Sequence, residues 1–190
     1  MARTLRVEGG TLLAAWPDML DPNFMHSVVL VCQHSDEGAY GLVTNRSTEL
    51  TMGELVPEHE LLKDSDFPVH LGGPVDHSTL QFLHTVPDLV PGGLEIEGAL
   101  RLGGDLDSLA RFLAAEPARA RGSVRVFLGY SGWGAGQLES ELDQGSWLWA
   151  PPSLDAVFGP DGEPTWRSVV RASGKVGRDL ENQPPDVSWN

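Results

Sequence analysis

The sequence predicts a single α+β domain, and two observations carry that prediction. Apolar, β-branched runs pair up as hairpins, and three or four short amphipathic segments are scattered irregularly among them rather than alternating strictly with strands. The chain has 190 residues, 41% of them apolar, enough to bury one sizeable core. The domain is expected over residues 1–174, with a polar, extended tail over 175–190.

SVVLVCQ, residues 27–33, is almost continuously apolar, the pattern of a strand buried on both faces. HSDEGA and then YGLVTNR follow, so a hairpin is expected over about 26–46, with Gly38 available for the turn. In LTMGELV, Thr51 and Glu54 stand at capping-box spacing and Pro57 closes the short helix they start. EHELLKDSDF is polar and reads as loop. PVHLGGPVD reads as a strand entering a glycine corner, STLQFLHT as another strand, and LEIEG and ALRLG as brief strands around Gly98.

In GGDLDSLARFLAAEP, Leu106, Leu109, Ala110 and Leu113 fall at helical spacing behind Asp105 as N-cap, with Pro117 beyond the end. SVRVFLGY is a strand. SLDAVFG and PTWRSVVRAS are short helices, the second with Pro164 in its first turn.

Composition excludes several classes of function. No 18-residue apolar run is present, and MARTLRVEGG has no hydrophobic signal region, so no membrane association and a cytoplasmic location are expected. Cys32 is the single cysteine, so intrachain disulfides and thiolate metal cages are excluded, and it reads as a small buried hydrophobe. A net charge of −14 argues against nucleic acid and anionic lipid as partners. Arg167, Arg171, Lys175 and Arg178 gather near the C-terminus and read as a solvated helix face.

The densest stretch is GYSGWGAGQLESELDQGSWLWAP, residues 129–151. Glycines at 132, 134 and 136 predict a sharp strand-to-helix turn after Tyr130. QLESELDQG predicts a helix with Leu138 and Leu142 inward and Gly145 at its C-terminal cap. Gln137 and Glu141 share a face at i,i+4, and Glu139 projects toward water. The turn is compatible with an anion site at the helix N-terminus, or with packing of Trp133 and Trp147 over the corner. Neither nucleotide-loop glycine pattern is present.

These residues carry a resemblance. GTLLAAWPDMLDPNFMHSVVLVCQH, EGAYGLVTNR, the corner LGGPV, Leu83–His84 and FLGYSGWGAGQLESELDQGSWL together resemble the bacterial YqgE/AlgH family from about Gly10 to Trp166. The family's biochemical role is not established. The resemblance implies an α+β fold with a largely antiparallel, curled, barrel-like sheet and flanking helices. It points to Asn45, Arg46, Gly72, Gly73, Pro74, Tyr130, Gly132, Trp133, Gln137, Leu138, Glu139 and Glu141 as motif positions, and carries no agreed catalytic residues. TNRS stands where the family has an Asn-Arg-Pro run, so a less rigid turn is expected after Arg46. The family name bears a regulator label from alginate biosynthesis; with no helix-turn-helix signature and an acidic chain, direct DNA reading is discounted.

Catalytic constellations are weak. Ser131 lacks the G-x-S-x-G elbow, and a triad of Ser131 with His84 or His70 and Glu141 is imaginable but not dictated. The six histidines, at 26, 34, 59, 70, 77 and 84, show no metal-ligand spacing. Glu139 and Glu141 lie about 200° apart on a helix, so they do not share one substrate; a two-acid site would need Glu141 to meet a distant acid such as Asp76.

The leading expectation is therefore a non-catalytic domain that needs no cofactor. It binds a small anionic ligand or a protein partner through Asn45/Arg46, Gly72–Val75 and Tyr130–Glu141. The alternative is a hydrolase acting on a phosphate- or carboxylate-bearing metabolite with Glu141 or a histidine as base, and a transcriptional regulator remains as a family label alone.

Overall fold

The computed structural model describes residues 6–174, 177, 179 and 180. The chain runs β1 (Leu12–Ala15), β2 (Val28–Ser35), β3 (Gly38–Val43), β4 (Ser47–Thr51), α1 (Met52–Leu55), β5 (Pro68–Leu71), β6 (Val75–His84), β7 (Leu94–Glu97), β8 (Leu100–Leu102), α2 (Leu106–Ala115), α3 (Pro117–Arg121), β9 (Val124–Gly134), α4 (Gln137–Asp143), β10 (Trp147–Ala150), α5 (Leu154–Val157) and α6 (Glu163–Ala172). Gly177, Asp179 and Leu180 are helical, and Leu180 packs on the core; the rest of the expected tail, 175–190, lies outside the described residues.

All strands join one 10-stranded sheet in the order β10-β1-β2-β3-β9-β6-β8-β7, with β4 and β5 attached beside β9. Every pairing is antiparallel except β5 with β9. The sheet curls: one buried cluster joins Leu12 and Leu30 near one end of the strand order to Leu83 and Leu100 near the other. It does not close. Among the described residues β7 pairs with β8 alone and β10 with β1 alone.

β1 and β2 are buried on both faces because the two faces serve two cores. Leu12, Ala14, Val28, Leu30 and Cys32 point into the curl, where α6 seals it with Trp166, Val169 and Val170. Leu13, Ala15, Val29 and Val31 point outward against Trp133, Leu138 and Trp147. A third cluster packs α2, through Leu109, Phe112 and Leu113, on Phe82, Val124 and Val126. The predicted caps form: Thr51 and Glu54 make the capping box of α1, and the Asp105 carboxylate accepts from the Ser108 amide at 2.8 Å.

Two expectations need correction. Ser131–Gly134 are not a turn: they continue β9, pairing with Gly38–Gly41 of β3. The cross-strand ladder outweighs glycine's poor strand propensity there, and the turn falls later, at Ala135–Gly136. Pro117 lies beyond the end of α2 as expected, and in addition occupies the first turn of α3. β1, β4 and β10, not anticipated from their short runs, form because partner strands exist for them.

β9 has 11 residues and serves two ladders along one edge, β5 at Val126–Leu128 and β3 at Ser131–Gly134. It bends between them at Gly129, whose φ is 71°. A Cβ there would stand 2.6 Å from the Gly73 carbonyl oxygen and 3.0 Å from that of Val75. Gly129→Ala is therefore expected to cost more than the roughly 1–2 kcal/mol of a left-handed non-glycine residue alone. Gly136→Ala, at the same φ of 71° but with nothing within 4 Å of its Cβ, should cost only that amount. Urea denaturation of the two variants checks the difference, and equal losses would contradict it.

Candidate functional site

The glycine- and tryptophan-rich stretch is organised around the Glu141 carboxylate. Its Oε2 accepts from Trp133 Nε1 at 2.9 Å and from Trp147 Nε1 at 2.8 Å, and its Oε1 accepts from Gln137 Nε2 at 3.0 Å. Gln137 Oε1 accepts in turn from the Gly134 amide at 3.0 Å. One helical face thus ties β9, β10 and α4 together over buried Leu138. Indole N–H groups need an acceptor when buried, and a carboxylate is a strong one. The Gln137–Glu141 contact expected from i,i+4 spacing is present. Glu139 is exposed but does not simply face water, since its carboxylate meets His34 Nε2 on β2. α4 has only 7 residues, and its first turn already carries Glu139, so the anion site considered at this turn faces a fixed negative charge.

Asn45 is 4% exposed and has its side chain fully engaged. Oδ1 accepts from the Val28 amide at 2.8 Å, while Nδ2 donates to the His26 and Gly162 carbonyls at 3.0 and 2.9 Å. It joins the start of β2 to the start of α6. Arg46 donates to the carbonyls of Pro22, Asn23 and Met25 and so holds the loop before β2. These two residues line a cleft of about 430 Å³ with Met25, His26, Asp161 and Glu163.

The Gly72–Pro74 corner packs on β9 by backbone. The Gly72 carbonyl accepts from the Val43 amide at 2.8 Å and from Ser131 Oγ at 3.2 Å. A Cβ on Gly73 would stand 2.2 Å from the Tyr130 carbonyl oxygen. The second corner therefore meets Tyr130 and Ser131. The cleft at Asn45 and Arg46 has no lining residue from the other two corners; Glu141 faces the tryptophans instead, with Gln137 bonded to it.

The candidate catalytic groups do not assemble. Ser131 is fully buried and bonded to Gly72. His77 Nε2 lies 2.9 Å from the Gly73 carbonyl oxygen and His84 Nε2 3.0 Å from that of Gly103. The Asp76 carboxylate takes up the hydroxyls of Ser78 and Thr79 and is not near Glu141 in any described bond. Among the described residues, no group of three or more His, Cys, Asp or Glu side chains is placed to hold a metal. Burial pushes the Cys32 thiol up to about 12, so it is neither a thiolate nor a nucleophile at neutral pH.

One polar pair has no counterpart in the sequence motifs. His70 on β5 is buried, and its Nε2 lies 2.8 Å from Asp161 Oδ1. Burial, reinforced by the Arg125 guanidinium, holds its pKa below the ordinary 6.5 despite Asp161. The neutral ring then donates Nε2–H to the carboxylate. The Arg125 guanidinium donates to the carbonyls of Thr44 and Gly159 at 2.6 and 2.7 Å.

The larger openings lie where the sheet fails to close. A cleft of about 630 Å³ separates Leu94–Ile96 of β7 from Cys32–Ser35 of β2, with Tyr40 and Trp133 on its walls. Tyr40 stacks on Tyr130 with ring centroids 4.8 Å apart. Burial, with Cys32 and Tyr130 nearby, raises the Tyr40 pKa, so its hydroxyl stays protonated. The cleft shares Gly9, His34 and Ser35 with a second of about 980 Å³ that runs along α4 toward Trp149. Of the motif positions, Trp133 and Glu139 line this seam directly and Tyr130 and Gly132 lie behind it, Gly132 opposite Tyr40. Leu94 and Ile96 belong to no motif in the sequence, and Cys32 and His34 lie in a family motif but are not among its candidate site residues. For Leu94 and Ile96 the only signal was the short strand LEIE, and nothing in the sequence joins it to the end of SVVLVCQ some sixty residues earlier.

An open, curled antiparallel sheet with six helices among the described residues, sealed by an indole–carboxylate staple, defines a particular class of α+β domain. The AlgH-like family model matches residues 12–176, and the chain belongs to this family, YqgE/AlgH. A UPF0301 protein of Chlorobaculum tepidum is 39% identical over 175 residues, covering 92% of this chain and 91% of its own. A UPF0301 protein of Parabacteroides distasonis is 35% identical over 183 residues, covering 95% and 90%. The solution structure of the AlgH protein from Pseudomonas aeruginosa superposes with a TM-score of 0.70 at 28% identity, covering 97% of this chain and 98% of that one. A crystal structure from Corynebacterium diphtheriae, also at 0.70 but 21% identical, covering 96% and 95%, shares the fold.

Glu141→Ala is expected to lose about 2 kcal/mol, since it strands two indole donors, and to lower Tm by about 4–8 °C in a chain of this size. An unchanged Tm in a thermal melt would contradict the staple. For His70, the unfolded state takes up a proton near pH 6.5 while the folded state resists it. Stability is therefore full above that pH and declines as pH falls below it. In urea titrations at pH 7.5 and 5.5, His70→Gln should show a smaller loss on acidification than the parent; equal losses would show that His70 does not contribute.

Proposed function

We propose that this chain is a non-catalytic domain that binds a small ligand or a partner protein through the open seam between β7 and the end of β2. The observation that carries this reading is a contrast. Groups that would do chemistry, Glu141, Ser131, His77 and His84, are bonded into the fold. The seam offers strand edges, an aromatic wall and unfilled volume, the combination that suits binding. We also place the protein in the cytoplasm, in keeping with its single buried thiol; no helix among the described residues is long and apolar enough to cross a membrane.

The anionic ligand expected from the sequence is not favoured at the seam. Its two clefts carry Glu8, Asp36, Glu37, Glu95, Glu139 and Asp143 against Arg6, with His34 already bonded to Glu139. A cationic or neutral ligand fits that field.

A second reading is favoured by one observation alone, the His70–Asp161 pair beside Arg125 and near the Asn45/Arg46 cleft. This would be the hydrolase. Against it, the buried His70 Nδ1 meets no hydroxyl or thiol among the described residues, and a base needs a proton within reach.

A thermal-shift screen of polyamines, nucleotides, phosphorylated metabolites and small carboxylates tests both. A ligand at 100 times its Kd adds about 2.7 kcal/mol, which is visible as a Tm rise of several degrees. The expected outcome is a cationic or neutral hit that is lost in Leu94→Arg, an exposed position on the seam. A hit untouched by Leu94→Arg but lost in Arg46→Ala, or turnover of a phosphate or carboxylate ester abolished in His70→Gln, would overturn the seam reading.

A further inference from the structure

The seam is more than a cleft, because its edges and its charge suit one kind of occupant. We propose that this occupant is an extended, basic segment of a partner protein, added as a strand along the free edge of β7. The proposal rests on the seam being the binding site.

The chain itself shows how the slot accepts backbone. Just before β1, Gly9 passes between β2 and β7: a Cβ on it would stand 3.2 Å from the Cys32 carbonyl oxygen and 3.5 Å from that of Ile96. Next to it, the Gly10 amide donates to the Val31 carbonyl at 2.8 Å. One end of the seam is thus filled by a bare stretch of main chain, where a side chain would fit only tightly between the two carbonyl oxygens. Beyond Gly9 nothing among the described residues takes its place, and the seam opens as the cleft between Leu94–Ile96 and Cys32–Ser35.

β7 is a strand edge without a partner on that side among the described residues. Such an edge presents unpaired N–H and C=O groups and accepts an added strand, with side-chain pockets supplying specificity. Its four residues span roughly 13 Å, enough for a short extended segment.

Charge selects the occupant. Glu37 and Glu95 flank the cleft, and Asp36, Glu8 and Glu139 continue the same sign into the adjoining one. Glu95 pairs with the half-buried Arg101 at 3.4 Å, but its own carboxylate is well exposed, where such a pair compensates little. A second copy of this chain is disfavoured. It carries a net charge of −14, and pairing two β7 edges would oppose Glu95 and Glu97 to their own kind. A strand with Lys or Arg at alternate positions meets the acidic rims with one face and presses apolar residues toward Ile96, Tyr40 and Trp133 with the other.

The test is an amide NMR titration of the full chain with a synthetic octapeptide alternating Lys and Val. Two controls are the Glu/Val counterpart and a Lys/Val peptide with proline at alternate positions, which cannot complete a ladder. The expected result is saturable shifts at Leu94–Glu97 and Cys32–Ser35 with the Lys/Val peptide only. Binding should weaken at least tenfold in Glu37→Lys/Glu95→Lys, two exposed positions whose reversal leaves the fold intact by circular dichroism. Binding that persists with the proline peptide, survives charge reversal or shifts residues elsewhere would overturn strand addition. If no peptide binds while a small ligand shifts the seam amides, this proposal fails and the seam reading stands. If neither peptide nor small ligand moves those amides, both fail.

Discussion

The fold depends on β9 changing neighbours halfway along its length. Its first half runs parallel to β5 and its second half antiparallel to β3 on the same edge, while β6 holds the other side. No straight strand meets those three demands. The bend at Gly129 does, and it works because the opposing corner at Gly72–Gly73 is also without side chains. Two separated glycine motifs therefore explain each other as close backbone packing, with no ligand invoked for either.

The polar motif residues have the same structural explanation. Asn45 satisfies three backbone groups, one in β2, one in the loop before it and one at the start of α6, and Glu141 satisfies two indoles and an amide. A buried polar group left unpaired costs more than a paired one contributes, so substitution at either position strands several partners at once. Polar residues in glycine-rich surroundings look like a binding site in one dimension and prove to be joints in three. What remains unspent lies at the place where the curl stops short of closure.

Much of the fold was legible in the sequence. The doubly buried β2, the Gly38 hairpin, the capping box at Thr51 and Glu54, and the periodicity of α2 and α4 are local signals, and the structure contains each. The strand character of Ser131–Gly134 was not legible, because it comes from β3 lying alongside rather than from the residues themselves. β1 and β10 are short apolar runs that become strands only by pairing with each other and with β2. The candidate site was legible in part. Trp133 stands out in the sequence and lines the seam, whereas Leu94 and Ile96 carry no motif and acquire a role only through the curl. His70 and Asp161, 91 positions apart, were beyond any spacing argument.

The central claim is that the sheet curls around its core yet, among the described residues, leaves β7 unpaired on one side, and hydrogen exchange of the free protein reads this directly. The amides of β9 and those of β7 directed toward β8 should be protected, while the β7 amides directed away from β8 should exchange rapidly. Protection on both sides of β7 would mean that its second edge is already paired in solution, and the seam would then not be a binding site.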